Sequence, residues 1–180
     1  MNDKGFTLIE VLIGLFIAVI ASISVAQVIA NTNKVVTAGR QTFIATNLAH
    51  EGLELTRQLR DDTWFQDNNR ANWMSNSSRK LCPGNESYTY TIDPENFNQG
   101  DSNSSLYLHK VSVNGETYEE WTHTNSLGDT NSGYSRVMTV DCSQESANPA
   151  FVTITATVSW MGQSATKEVS IQELLYNWLP

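Results

Sequence analysis

The feature that most constrains this chain is a run of 25 residues, Phe6–Ala30, in which 19 are apolar, one is glycine and the only charge is Glu10. As a helix it would be ~37 Å long, enough to cross a hydrocarbon core of ~30 Å. No other stretch approaches the ~20 apolar residues that a second span needs, which excludes a multi-span membrane protein. The whole chain is 180 residues, 40% hydrophobic, with a mean hydropathy of -0.31. Those averages mix an apolar rod with a polar remainder, Asn31–Pro180, rich in Asn, Ser and Thr. A plain cytoplasmic globule is therefore excluded as well.

The polar remainder is acidic. Residues 31–180 hold 17 of the 19 acids and 10 of the 11 bases, so they carry about -7 of the formal net charge of -8. Such a surface favours solubility and argues against binding a phosphate backbone, which needs basic surface. The two cysteines, Cys82 and Cys142, do not form a C-x-x-C pair. They are free to form a disulfide if the apolar segment delivers the chain across a membrane. The closed loop would then contribute about 4 kcal/mol in the chain-entropy model. Without export they read as two buried thiols.

Helical patterning continues past the apolar run. Ala45, Leu48, Ala49, Gly52, Leu55 and Leu59 recur at spacings of three and four and share one face, with Lys34, Arg40, Glu51, Glu54 and Arg57 off it. No proline occurs before Pro83. The spacing predicts one helix from Phe6 to about Leu59, roughly 80 Å long, apolar all round in its first half and amphipathic in its second. Residues 61–84 read as a loop, with Asp61-Asp62 in a solvated turn and Trp64 and Trp73 as anchors. The period then changes to two. Ser87–Ile92, Leu106–Val113, Glu116–Trp121, Gly133–Asp141, Ala150–Trp160 and Thr166–Ile171 read as strands, and Asn114-Gly115 as a hairpin turn. Val152, Ile154, Ala156, Val158 and Trp160 share one strand face. The stretches 98–105 and 123–133 read as loops, and Gln172–Leu179 as a helical turn or two.

The N-terminus reads Lys4-Gly5-Phe6-Thr7-Leu8-Ile9-Glu10 before the apolar run. It closely resembles the class III signal of type IV pilins and the pseudopilins of type II secretion. The strand containing Tyr134-Ser135-Arg136, the VTITATVSW strand and the Asn177-Trp178 ending are similar to minor pilins and pseudopilins. The resemblance implies cleavage between Gly5 and Phe6 by a membrane-embedded prepilin peptidase and N-methylation of Phe6. It also implies a partner for Glu10, the α-amino group of Phe6 on a neighbouring subunit. A carboxylate inside a spanning helix costs ~2.5–3.5 kcal/mol on insertion scales, so a use for it is expected. Where many major pilins carry a proline, this chain has Gln27 or its neighbours, which leans toward a minor subunit.

The expected architecture is α+β: a long N-terminal α-helix, membrane-spanning in its first half, packed on a C-terminal antiparallel β-sheet domain, the pilin fold. Residues 1–5 would be the leader, 6–30 the membrane and filament-core helix, 31–60 its amphipathic continuation and 61–180 the globular domain. The expected function is a structural subunit of a type IV pilus-like filament or a secretion pseudopilus. The implied partners are other pilin or pseudopilin subunits, the prepilin peptidase, the inner-membrane assembly platform and, for the precursor, the membrane. The precursor would be a single-pass protein of the cytoplasmic membrane with its C-terminal domain outside, later part of a surface or periplasmic filament.

Two other readings bear on the same residues. The first 30 residues could be an ordinary signal peptide cut after Ala26 or Ala30, but its leader has one side-chain cation, Lys4, and its apolar region is long and contains an acid. A membrane-anchored or tip-located adhesin, using loops 98–105 and 123–133, is the alternative function.

No catalytic pattern emerges. His50, His109 and His123 lack ligand spacing, and there is no phosphate-cradling glycine loop or nucleophile elbow, so an enzyme is not expected. Asp129-Thr130-Asn131-Ser132-Gly133 places oxygen side chains at Asp129 and Asn131 before a glycine, like part of a calcium loop, but also like a plain turn. Apart from calcium at this fragment, no cofactor is expected. The N-x-S sequons at Asn76, Asn85 and Asn103 are expected by chance in so Asn- and Ser-rich a chain.

Overall fold

A computed structural model describes residues 7–66, 74, 81–93, 97–99, 104–113, 116–126, 129–144, 151–162 and 164–176. The chain divides into two compact units, Met1–Gln41 and Thr42–Pro180.

The described part of the first unit is helix. It belongs to α1, Leu8–Gln66, in which a run without proline leaves every backbone N–H available to the helical ladder. Every residue from Thr7 to Thr37 is exposed. The side chains of Leu8, Phe16 and Val28, for example, are 80%, 66% and 64% exposed.

The second unit joins the last turns of α1 to seven antiparallel strands: β1 (Ser87–Ile92), β2 (Phe97–Gln99), β3 (Ser105–Val113), β4 (Glu116–Thr122), β5 (Thr130–Asp141), β6 (Phe151–Met161) and β7 (Thr166–Tyr176). Strand β5 is the hub. Its register with β6 runs from Tyr134↔Trp160 to Asp141↔Thr153. Its other edge is divided: β3 pairs with Thr130–Ser135 and β1 with Met138–Asp141. Beyond these, β2 extends β1, β4 extends β3 and β7 extends β6. The β3–β4 hairpin sets Val113 opposite Glu116, as the expected two-residue turn requires. Asn114 and Gly115 themselves lie outside the described residues.

The core forms where the helical stripe meets the alternating strands. Ala45, Leu48, Ala49, Leu53 and Leu59 of α1 pack with Tyr90, Met138, Val140, Leu175 and the expected face of β6, Val152 to Trp160. Each fully buried aliphatic side chain contributes about 1.5–3 kcal/mol. The buried helix stripe differs from the expected one by a small rotation. Leu53 and Thr56 are buried, while Leu55 is only half-buried.

Gly52 is at a close approach of helix and sheet. A Cβ there would lie 2.7 Å from Met138 Sδ and 3.1 Å from Arg136 Cδ, and both of those side chains are fully buried. Gly52→Ala should therefore destabilise the domain by about 1–2 kcal/mol, the overpacking cost exceeding the gain in helix propensity. A urea melt checks this, and a stabilised variant would contradict the close approach.

Three expectations need correction. The helix does not stop near Leu59. It runs to Gln66, so Asp61 and Asp62 are helical rather than in a solvated turn. Its buried stripe continues through Thr63, whose hydroxyl donates to Leu59 O at 2.7 Å and so needs no water. Residues Gln172–Tyr176 are strand rather than helix, because pairing with Phe151–Thr155 and burial of Leu175 override their helical propensity. The loops 98–105 and 123–133 are in part strand: residues 98–99 pair with β1, Ser105 begins β3 and Thr130–Gly133 begin β5. The anchors expected at Trp73 and at the Trp64 side chain lie outside the described residues, as do residues 177–179.

Candidate functional site

The N-terminal helix is the candidate site. Gly5 and Phe6 lie outside the described residues. Glu10 is in the first turn of α1, exposed, with its backbone N–H donating to Thr7 O at 3.0 Å. An acid there also complements the positive end of the helix dipole. The helix is long and apolar enough to cross a membrane, and none of its most apolar 18-residue window is covered by the rest of the chain.

Three hydroxyls along this helix are satisfied internally. Ser22 donates to Ala18 O at 2.8 Å, Ser24 to Ile20 O at 3.1 Å and Thr32 to Val28 O at 2.9 Å. Such bonds to the preceding turn leave these three hydroxyls independent of water, which suits a helix moving into lipid or among other helices. Among the described residues the Glu10 carboxylate has no such internal partner. Apolar exposure on this scale marks a surface meant for lipid or for other protein.

Cys82 and Cys142 are joined in a disulfide with a Cα–Cα distance of 5.8 Å. It ties the segment after α1 to the end of β5, and both residues are buried. Spacing left this pairing open; the fold brings the two together.

The oxygens of the possible calcium fragment are engaged within the protein. Asp129 Oδ1 lies 2.7 Å from His109 Nδ1, and Oδ2 accepts from Ser126 N at 2.7 Å. The His109 bond, then the Ser126 amide, holds the Asp129 carboxyl below its ordinary pKa. Asn131 Oδ1 accepts from Gly133 N at 2.8 Å, and Gly133 adopts a φ of 77° that favours glycine. Among the described residues no three His, Cys, Asp or Glu side chains cluster to hold a metal ion. His50 is exposed, and His123 is buried beside Asp93, whose Oδ2 accepts from His123 N at 3.1 Å.

The sequence marks one residue of consequence, Arg136, only as part of a strand. Arg136 is fully buried in β5, where β3 and β1 diverge. Its Nη1 donates to Leu48 O at 3.0 Å and lies 3.4 Å from Glu51 Oε1, while Nη2 donates to Ile92 O at 2.6 Å. Burial lowers its pKa, opposed by the carboxylates of Glu51 and Asp93. A guanidinium remains charged in such a setting. The signal was available: Arg136 shares strand parity with Tyr134, Met138 and Val140.

Against models of known families, residues 1–26 match the prokaryotic N-terminal methylation motif. The motif indicates processing like that of type IV prepilins and pseudopilins, and with the apolar helix it indicates a membrane-anchored protein. No curated protein and no solved structure matches the chain.

Proposed function

We propose that the protein is a structural subunit of a type IV pilus-like filament or a secretion pseudopilus. In this reading residues 1–5 are removed after Gly5, Phe6 is N-methylated, residues 6–30 become filament core and the sheet domain faces outward. The observation that carries the reading is Glu10, the single charge in an apolar helix that the rest of the chain leaves uncovered. The methylation motif over the same residues supports it.

The physics is one of exchange. The apolar surface first meets lipid and then neighbouring helices, so a motor can move it between the two without exposing it to water. Glu10 remains costly in either setting until an opposite charge approaches. The α-amino group of Phe6 on a neighbouring subunit supplies that charge, and strong attraction in a low dielectric sets the axial register. The protein itself needs no active site. Its partners are other subunits, the prepilin peptidase and the assembly platform of the membrane.

Intact mass and N-terminal sequencing test the reading. In cells with an active prepilin peptidase, the mature chain should begin at a methylated Phe6; retention of Met1–Gly5 would overturn the proposal. Glu10→Ala should still insert and be processed, yet enter filaments about tenfold less, as expected for losing ~1.4 kcal/mol or more per contact. Normal incorporation of that variant would remove the register role.

A further inference from the structure

Helix α1 segregates its charge along its length. Between Glu10 and Glu51 the sequence contains no acid, and its only Lys or Arg side chains are Lys34 and Arg40. Both are exposed, and neither joins an ion pair among the described residues. Beside them Val35 and Val36 are 71% and 64% exposed.

From Glu51 onward the sign inverts. A groove of about 450 Å³ lies along this part of the helix, lined by Glu51, Glu54, Asp61 and Asp62 together with Leu55 and Phe65. The only cation among its lining residues, Arg57, is held by Glu54 and by Glu173 of β7. Arg60 pairs with Asp61 at 2.8 Å. Glu51 lies 3.4 Å from the buried Arg136. Counting all three arginines, the lining carboxylates and Glu173 still outnumber the cations. Phe65 is 78% exposed, so the groove offers apolar as well as acidic surface.

We propose that this groove seats the basic stretch around Lys34 and Arg40 of a second copy of the chain. The inference rests on the filament reading above, which brings identical helices side by side. Charge complementarity selects the occupant: an acid-free stretch with two unpaired cations matches a groove with excess carboxylate. Val35 and Val36 offer apolar contact to Leu55 and Phe65. Groove against groove would oppose like charges, so the contact uses two different patches. A contact of that kind propagates instead of closing into a dimer, as a filament requires.

Charge reversal in cells with a working assembly system tests this. Lys34→Glu with Arg40→Glu should lower sheared-filament yield about tenfold or more, with cleavage after Gly5 and membrane retention unchanged. Glu54→Lys with Asp62→Lys should give the same loss, and combining all four changes should restore yield to within about threefold of the parent. Resistance to limited proteolysis reports that each variant is folded. Independently, Arg40→Cys on one copy and Gln58→Cys on another should yield an oxidative dimer in assembled filaments. Normal filaments from both reversal pairs, with no such dimer, overturn the proposal and leave the filament reading standing. Loss of membrane retention on reversing Lys34 and Arg40, with the acidic variants silent, assigns these cations to anionic lipid headgroups and also overturns it. A parent chain that never enters filaments in such cells removes the filament reading, and this inference with it.

Discussion

Arg136→Ala should destabilise the sheet domain by about 3–5 kcal/mol, the scale for removing one member of a buried charged network. The substitution leaves the Ile92 carbonyl without its donor, takes a second donor from Leu48 O and opens a cavity beside Met138 and Gly52. Each buried group left unpaired costs about 1–3 kcal/mol, and the lost packing adds to it. Two further variants separate these contributions. Arg136→Met restores most of the volume without the donors, and Arg136→Lys keeps a charge but lacks the planar fork that reaches two carbonyls at once. Both should fall between the parent and the alanine variant in a urea melt. A methionine variant as stable as the parent would show that the guanidinium's hydrogen bonds contribute nothing net, leaving shape as its role. Total domain stabilities of about 5–15 kcal/mol make the alanine loss large enough to lower the amount of folded protein in cells.

Loss of the Cys82–Cys142 disulfide should cost about 4 kcal/mol, because the bond closes a long loop and removes that freedom from the unfolded chain. The two residues are 60 positions apart in sequence. Melts with and without reductant measure the effect, and Cys82→Ala with Cys142→Ala should reproduce it while becoming insensitive to reductant. Equal stability of the reduced and oxidised protein would mean that packing around Leu81 and Cys142 holds this junction without the bond. The bond joins the segment after α1 to the end of β5, so its loss should release that end of the helix first.

The strands were legible wherever one face is buried and the other wet. Residues Phe151–Met161 alternate so regularly that both the strand and its inward face followed from the alternation alone. The hairpin followed from Asn114-Gly115, because a type I′ turn needs positive φ at both central residues and this pair supplies it. Element ends were less legible. Asp61 and Asp62 suggested a turn because their neighbours are polar, yet Leu59 and Thr63 keep the helix docked past them. Gln172–Tyr176 suggested a helix because Gln, Glu and Leu favour one, yet β6 offers a partner for the whole length of β7. In both places contacts distant in sequence outweigh a local preference of a few tenths of a kcal/mol per residue.

By itself the sequence determined the membrane-capable helix, the processing motif at its start and the antiparallel character of the C-terminal domain. These depend on local composition, period and short spacing, which neighbouring residues carry among themselves. Only the tertiary structure decided that Cys82 meets Cys142, that Asp129 meets His109, and that Arg136 bridges helix and sheet at the divided edge of β5. Each of these depends on which distant segments become neighbours. That is settled by burying one helix stripe against one sheet face, a balance over the whole domain that no short window of sequence contains.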